Sequence, residues 1–181
     1  MQPHKLFLSA ALALTCFLPA AQAEDWYAEG FVGGIVANEA SDLTTRSQSL
    51  LPTIGLRGGY QLYDNFSIEG EIQTSVDSDV VLYAREISTV ELRSSVGLYG
   101  KYSVPLNERF SLHTRLGFAS SEFETKTGGR KEFIDTHEGL AYGVGGTFDV
   151  TNTWYLRGDA TRYDSNVAET DSVSISAGLR F

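Results

Sequence analysis

The chain has 181 residues, the length of one modest domain, with 42% hydrophobic residues, 14 Lys+Arg against 23 Asp+Glu, and a formal charge of −9. That acidic balance argues against a phosphate-backbone reader, which needs a basic surface, so no nucleic-acid partner is expected. The single cysteine excludes a disulfide framework, and the one long apolar run, residues 6–18, is shorter than the about 20 residues of a membrane helix.

That apolar run belongs to a cleaved secretory signal over residues 1–23. His4 and Lys5 open it, Pro19 ends the apolar stretch, and Ala21-Gln22-Ala23 supplies the small residues, Ala21 and Ala23, that a signal peptidase requires. The exported chain would begin at Glu24, without the cysteine. Cys16 follows Ala13-Leu14-Thr15, a poor match to a lipoprotein box, so lipid attachment is not expected.

From Glu24 onward the side-chain pattern has period two, the alternation of β-strands. Eight runs follow in order. The first covers 26–36. The second, 52–62, sets Ile54, Leu56, Tyr60 and Leu62 on one face, and the third, 66–74, does so with Phe66, Ile68 and Ile72. The fourth, 90–104, carries Leu92, Val96, Leu98, Tyr102 and Val104, and the fifth Phe110, Leu112, Leu116 and Phe118. The sixth presents Leu140, Tyr142, Val144, Phe148 and Val150, the seventh Trp154, Leu156 and Ala160, and the last Val173, Ile175, Ala177, Leu179 and Phe181. Strand one is ambiguous in its facing, because Phe31 and Ile35 share parity with Glu29.

Short turns at 63–65, 105–109 and 151–153 alternate with longer polar segments at 38–51, 75–89, 121–138 and 164–171. Such alternation is what an up-and-down meander produces, and in outer-membrane barrels the turns face the periplasm and the loops the exterior. The predicted fold class is all-β: an eight-stranded antiparallel up-and-down transmembrane β-barrel over residues 24–181.

Alternation alone does not separate a membrane barrel from a soluble one, but size does. Eight strands enclose an interior just wide enough for side chains. The face opposite the bulky residues carries Gly55, Gly59, Ser95, Gly97, Gly117, Ala119, Ala141, Gly143, Gly145, Ser174, Ser176 and Gly178. The bulky set should therefore face lipid. Ionisable residues of both signs share the small face: Arg57, Glu69, Glu71, Glu91, Arg93, Lys101, His113, Arg115, Asp149, Arg157, Asp159 and Arg180. Counting back from the turns sets Arg57 opposite Glu71 and makes Asp149 and Arg157 diagonal neighbours. Buried charges persist when paired, so an ion-pair plug is the expected filling; a conducting lumen is the rival reading.

These residues resemble the small eight-stranded outer-membrane barrels, the OmpA-like, OmpX-like and opacity-type surface proteins. The resemblance is carried by Trp26-Tyr27 opening a strand with Gly30, Gly33 and Gly34, and by the ending Val173-x-Ile175-x-Ala177-x-Leu179-x-Phe181. That ending is similar to the signal with which such proteins engage the barrel-assembly machinery, although a plain last strand with an interfacial aromatic reads the same way. The resemblance implies a monomer in the outer membrane of a Gram-negative-type envelope. It also implies contact with lipopolysaccharide, periplasmic chaperones during biogenesis, and a surface ligand through the long loops. The implied role is structural or interactive: envelope integrity, adhesion or resistance to host factors. A narrow solute pore and a lipid A-modifying enzyme are the alternatives.

Neither catalysis nor a cofactor is expected. His113 is followed by Thr114 and Arg115, and His137 by Glu138 and Gly139, so neither has the serine two positions on that a lipid A deacylase of this architecture carries. The two histidines lie far apart without a cysteine, which argues against zinc. Glu39 with Asp42, Asp77 with Asp79, and Asp164 with Glu169 and Asp171 read as solvated loop acids, with calcium as the sharper alternative. Lys126-Thr127-Gly128-Gly129-Arg130-Lys131 reads as a tight hairpin tip, with polyanion contact as its alternative.

Overall fold

The computed structural model describes residues 25–37, 49–77, 79–83, 86–127, 130–165 and 169–181. The signal segment, with Ala21 and Ala23, and the loop acids Glu39 and Asp42 lie outside them. Among the described residues nine strands follow in chain order: β1 (Trp26–Ala37), β2 (Ser49–Tyr63), β3 (Phe66–Ser75), β4 (Asp79–Tyr83), β5 (Glu86–Pro105), β6 (Phe110–Thr127), β7 (Arg130–Asp149), β8 (Trp154–Ser165) and β9 (Glu169–Arg180). Each pairs antiparallel with its neighbours, β1 pairs with β9, and β3 pairs with β5. Eight strands thus close into a barrel. The short β4 stays outside the ring and pairs with the first residues of β5. Closure leaves no open edge at membrane depth, where an unpaired backbone group would cost several kcal/mol.

Local chemistry explains the tight turns. The Asn107 side-chain oxygen accepts the N–H groups of Arg109 and Phe110, both at 2.9 Å, and the Thr151 hydroxyl accepts those of Thr153 and Trp154 at 3.2 and 2.9 Å. These are Asx- and ST-type turns, in which a side chain stands in for a ladder partner. The first turn is closed by a bulge between Gln61 and Tyr63.

The two faces of the barrel wall are sharply different. Val96 is 55% and Leu98 63% exposed, while Ser95 and Tyr99 beside them are 3% and 1% exposed. Ile54, Leu56, Ile68, Ile72, Leu116, Val144, Leu156 and Ile175 are likewise exposed, an uninterrupted apolar surface that only lipid would cover.

Three expectations need correction. First, the segment 121–138, read as a polar loop, is strand: β6 runs to Thr127 and β7 starts at Arg130. The segment 75–89 holds β4 and the start of β5, and 164–171 is largely paired, with Asp164 opposite Glu169. Above the membrane both faces of a strand are wetted, so apolar alternation fades while the hydrogen-bonded ladder continues. Second, not every bulky side chain points outward. Tyr27, Phe31, Ile35, Leu51, Leu92, Tyr99 and Tyr155 are buried, and strand one turns Tyr27, Glu29, Phe31 and Ile35 inward. Third, the register shifts between Leu92 and Ser94. A bulge there adds one residue, Arg93, and inverts the facing above it. Leu92 is consequently buried and Arg93 exposed.

Candidate functional site

The ionic cluster of the barrel interior and the hydroxyls that serve it come from seven strands, while β7 adds the buried Ala141 and Thr147. Arg57 on β2 donates to Glu29 at 2.6 Å, to Glu71 at 2.8 and 2.9 Å and to Asp159 at 3.2 Å. Arg157 on β8 donates to Glu29 at 3.1 Å, to Glu69 at 2.5 Å and to Asp159 at 2.9 Å. Arg115 on β6 donates to Glu71 at 2.7 Å and to the Thr161 hydroxyl at 2.8 and 3.1 Å. The Lys101 ammonium stands 3.0 Å from Glu69. These four carboxylates face four basic side chains, so their formal charges cancel.

Remaining lone pairs are met by hydroxyls. Tyr27 donates to Glu69 at 2.7 Å, Tyr155 to Glu29 at 2.8 Å and Ser176 to Glu29 at 3.0 Å. His113 Nε2 lies 2.7 Å from Asp159, and its Nδ1 has no hydrogen-bond partner among the described residues. An N–H on Nδ1 would be a buried orphan donor, so a neutral ring protonated at Nε2 fits best. Saturation of this kind is what lets ions persist away from water.

Aromatic rings fill the rest, and the small face makes room for them. Tyr27 faces Gly59 and Phe31 faces Gly55 across β1–β2, and Tyr155 faces Gly178 across β8–β9. A Cβ at any of these glycines would run into the opposing ring. Cations lie over the rings, Lys101 above Tyr27 and Arg115 above Tyr99 at 4.3 Å, Arg180 above Tyr155 at 4.5 Å, and Arg57 above Phe31 at 5.1 Å.

The predicted set is therefore divided. Arg57, Glu69, Glu71, Lys101, His113, Arg115, Arg157 and Asp159 meet in the interior. Asp149 and Arg180 pair with each other at 2.7 Å at the short-turn mouth, each about a third exposed; Asp149 is diagonal to Arg157 by register yet bonded elsewhere. Glu91 and Arg93 do not enter the lumen. Above the bulge they join Glu124 and Lys126 on the projecting hairpin, with Lys126–Glu91 at 2.8 Å, Lys126–Glu124 at 3.4 Å and Arg93–Glu124 at 3.5 Å. The hydrogen bond from Lys126 to Glu91, aided by Glu124, raises the lysine pKa above its ordinary value. Glu29, Tyr27, Tyr99 and Tyr155 are additions to the predicted lumen set, although the glycines opposite three of the inward rings are a usable signal.

The remaining ionisable groups singled out among the described residues sit apart from this cluster. His137 packs on Phe123 with ring centroids 5.1 Å apart and lies 3.4 Å from Asp135. Arg162 on the outer wall donates to Asp171 at 2.7 and 2.9 Å. Among the described residues no three His, Cys, Asp or Glu side chains gather as a metal site.

A closed antiparallel barrel with a greasy exterior and a paired ionic interior defines an integral outer-membrane β-barrel protein. The chain belongs to the outer membrane protein beta-barrel domain family, whose model matches residues 8–181. Among solved structures it is similar to Neisserial surface protein A, at 14% identity over 86% of this chain and 97% of that one, with a TM-score of 0.64. It is also similar to Ail, the attachment invasion locus protein of Yersinia pestis, at 14% identity over 87% of this chain and 99% of that one, with a TM-score of 0.61. OprG of Pseudomonas aeruginosa shares 13% identity over 88% of this chain and 96% of that one, with a TM-score of 0.56. Identities this low speak for the fold alone. No curated protein matches the sequence.

Proposed function

We propose that this protein is a non-catalytic structural and surface-interaction barrel, serving envelope integrity, adhesion or resistance to host factors, and that its lumen is a plug rather than a pore. The observation that carries the reading is the contrast between the two ends of the molecule. At membrane depth four acids and four bases neutralise one another with side chains that are almost wholly buried, whereas above it β5, β6 and β7 run on as a projecting sheet. Conduction needs a wet path, and wide aqueous barrels have about twice as many strands. The name of Ail, an attachment invasion locus protein, is consistent with an adhesive role for a barrel of this shape.

In this reading residues 1–23 are removed on export from a Gram-negative-type cell. Val173, Ile175, Ala177, Leu179 and Phe181 engage the assembly machinery, chaperones escort the chain, and the folded monomer sits among lipopolysaccharide. The test replaces residues 121–138 with a short turn and compares cell adherence and serum survival with wild type, while the purified wild-type barrel is examined in planar bilayers. Reduced surface phenotypes and silent bilayers are expected. Stepwise conductance, or phenotypes indifferent to the truncation, would overturn the proposal.

A further inference from the structure

The short-turn mouth of the barrel gathers charged groups that the interior cluster does not use. Glu108 and Arg109 in the β5–β6 turn, Val150, Thr151 and Asn152 in the β7–β8 turn, and Asp149 and Arg180 at strand ends line one recess of about 580 Å³. That volume falls among those of small-ligand sites.

The walls of the recess are pinned. The Arg109 N–H donates to the Asn107 side chain at 2.9 Å, and the Arg109 carbonyl accepts from the Asp149 N–H at 2.8 Å. The Arg180 N–H donates to the Thr153 carbonyl at 2.9 Å, and its guanidinium lies over the Tyr155 ring while pairing with Asp149. Glu108 and Arg109 differ from that pair. Both are exposed, and among the described residues neither has an ion-pair partner.

Two acids and two bases thus share one recess, and their formal charges cancel. A simple anion drawn to Arg109 would also meet Glu108 and Asp149, and a simple cation drawn to Glu108 would meet Arg109 and Arg180. A ligand that carries both signs a few ångströms apart escapes both penalties.

Going beyond the surface-interaction reading, which concerns the opposite end of the molecule, we propose that the short-turn mouth binds the zwitterion of a short peptide. The Arg109 guanidinium takes the carboxylate and the Glu108 carboxylate takes the ammonium. The short turns of outer-membrane barrels face the periplasm, where free peptides and the peptide stems of the cell wall share this chemistry.

The full chain in lipid nanodiscs is titrated with alanyl-alanine, with its N-acetyl form, which lacks the ammonium, and with its amide, which lacks the carboxylate. Chemical shifts of the Arg109 and Asn152 amides report binding. Alanyl-alanine should bind about threefold or more tighter than either blocked form. Glu108→Gln should erase the preference for a free ammonium and keep that for a free carboxylate, and Arg109→Gln should do the reverse. Neither side chain belongs to the interior cluster, and unmoved Glu29 and Tyr155 amides would verify that each variant folds. Equal affinity for the three peptides, loss of both preferences in each variant, or no shift at millimolar peptide would overturn the proposal. Co-sedimentation with isolated cell-wall sacculi separates the sources: retention that E108Q and R109Q lose assigns the wall stems, and dipeptide binding without retention assigns free peptides.

Discussion

Replacing Arg157 by methionine is the sharpest probe of the interior. Arg157 is wholly buried and holds Glu29, Glu69 and Asp159 through ion pairs at 3.1, 2.5 and 2.9 Å. Methionine has similar bulk, so the change removes charge and donors more than volume. It leaves four acids against three bases among side chains that are almost wholly buried. Breaking a buried pair from one side costs about 3 to 5 kcal/mol, and Arg157→Met should fall in that range, measured by reversible urea unfolding from lipid vesicles. Glu69→Gln in the same chain restores the balance and should recover about 1 kcal/mol or more of the loss, as coupled neighbours do. A cost below about 1 kcal/mol for the single change, or strictly additive costs for the pair, would refute the idea that charge balance holds the plug together.

Other outcomes follow from facing and packing. Val96→Arg, on the lipid wall, should cost about 2 to 4 kcal/mol in the same assay. Ser95→Thr keeps the hydroxyl that meets Ser121 at 2.8 Å and should be mild; equal costs at the two sites would mean the faces are reversed. Gly178→Val drives a methyl group into the Tyr155 ring and should cost about 1 to 3 kcal/mol, a penalty that shrinks in a Tyr155→Ala background if the ring is its cause. A cysteine at Thr127 should react with an impermeant maleimide on intact cells and one at Asn152 only after the outer membrane is opened. The opposite labelling would invert the topology.

The eight membrane strands were legible because lipid imposes a strict rule on one face of each. Counting back from Leu62 opposite Phe66 sets Arg57 opposite Glu71, and that pair forms, although Phe66 itself meets Tyr63 and the bulge between Gln61 and Tyr63 absorbs the difference. Two things escaped. The upper halves of β5, β6 and β7 carry no apolar alternation, since water on both sides relaxes selection on hydrophobicity while leaving the ladder intact. The bulge at Arg93 shifts facing by one residue without a sequence mark such as glycine, so Leu92 and Arg93 exchanged places. The inward rings were harder still to see. Tyr155 has an ordinary strand context until Gly178 is placed across from it, a relation between strands that composition along one strand does not reveal.

The interior also bears on how the cylinder comes together. Glu29 and Arg157 are 128 positions apart, and Arg57 and Asp159 are 102 apart, so no fragment contains the finished set. A half-wound sheet, or one mispaired by a single residue where the first and last strands join, would turn naked ions towards acyl chains. Completion of the seam is thereby proofread from within, by groups that have nowhere else to go.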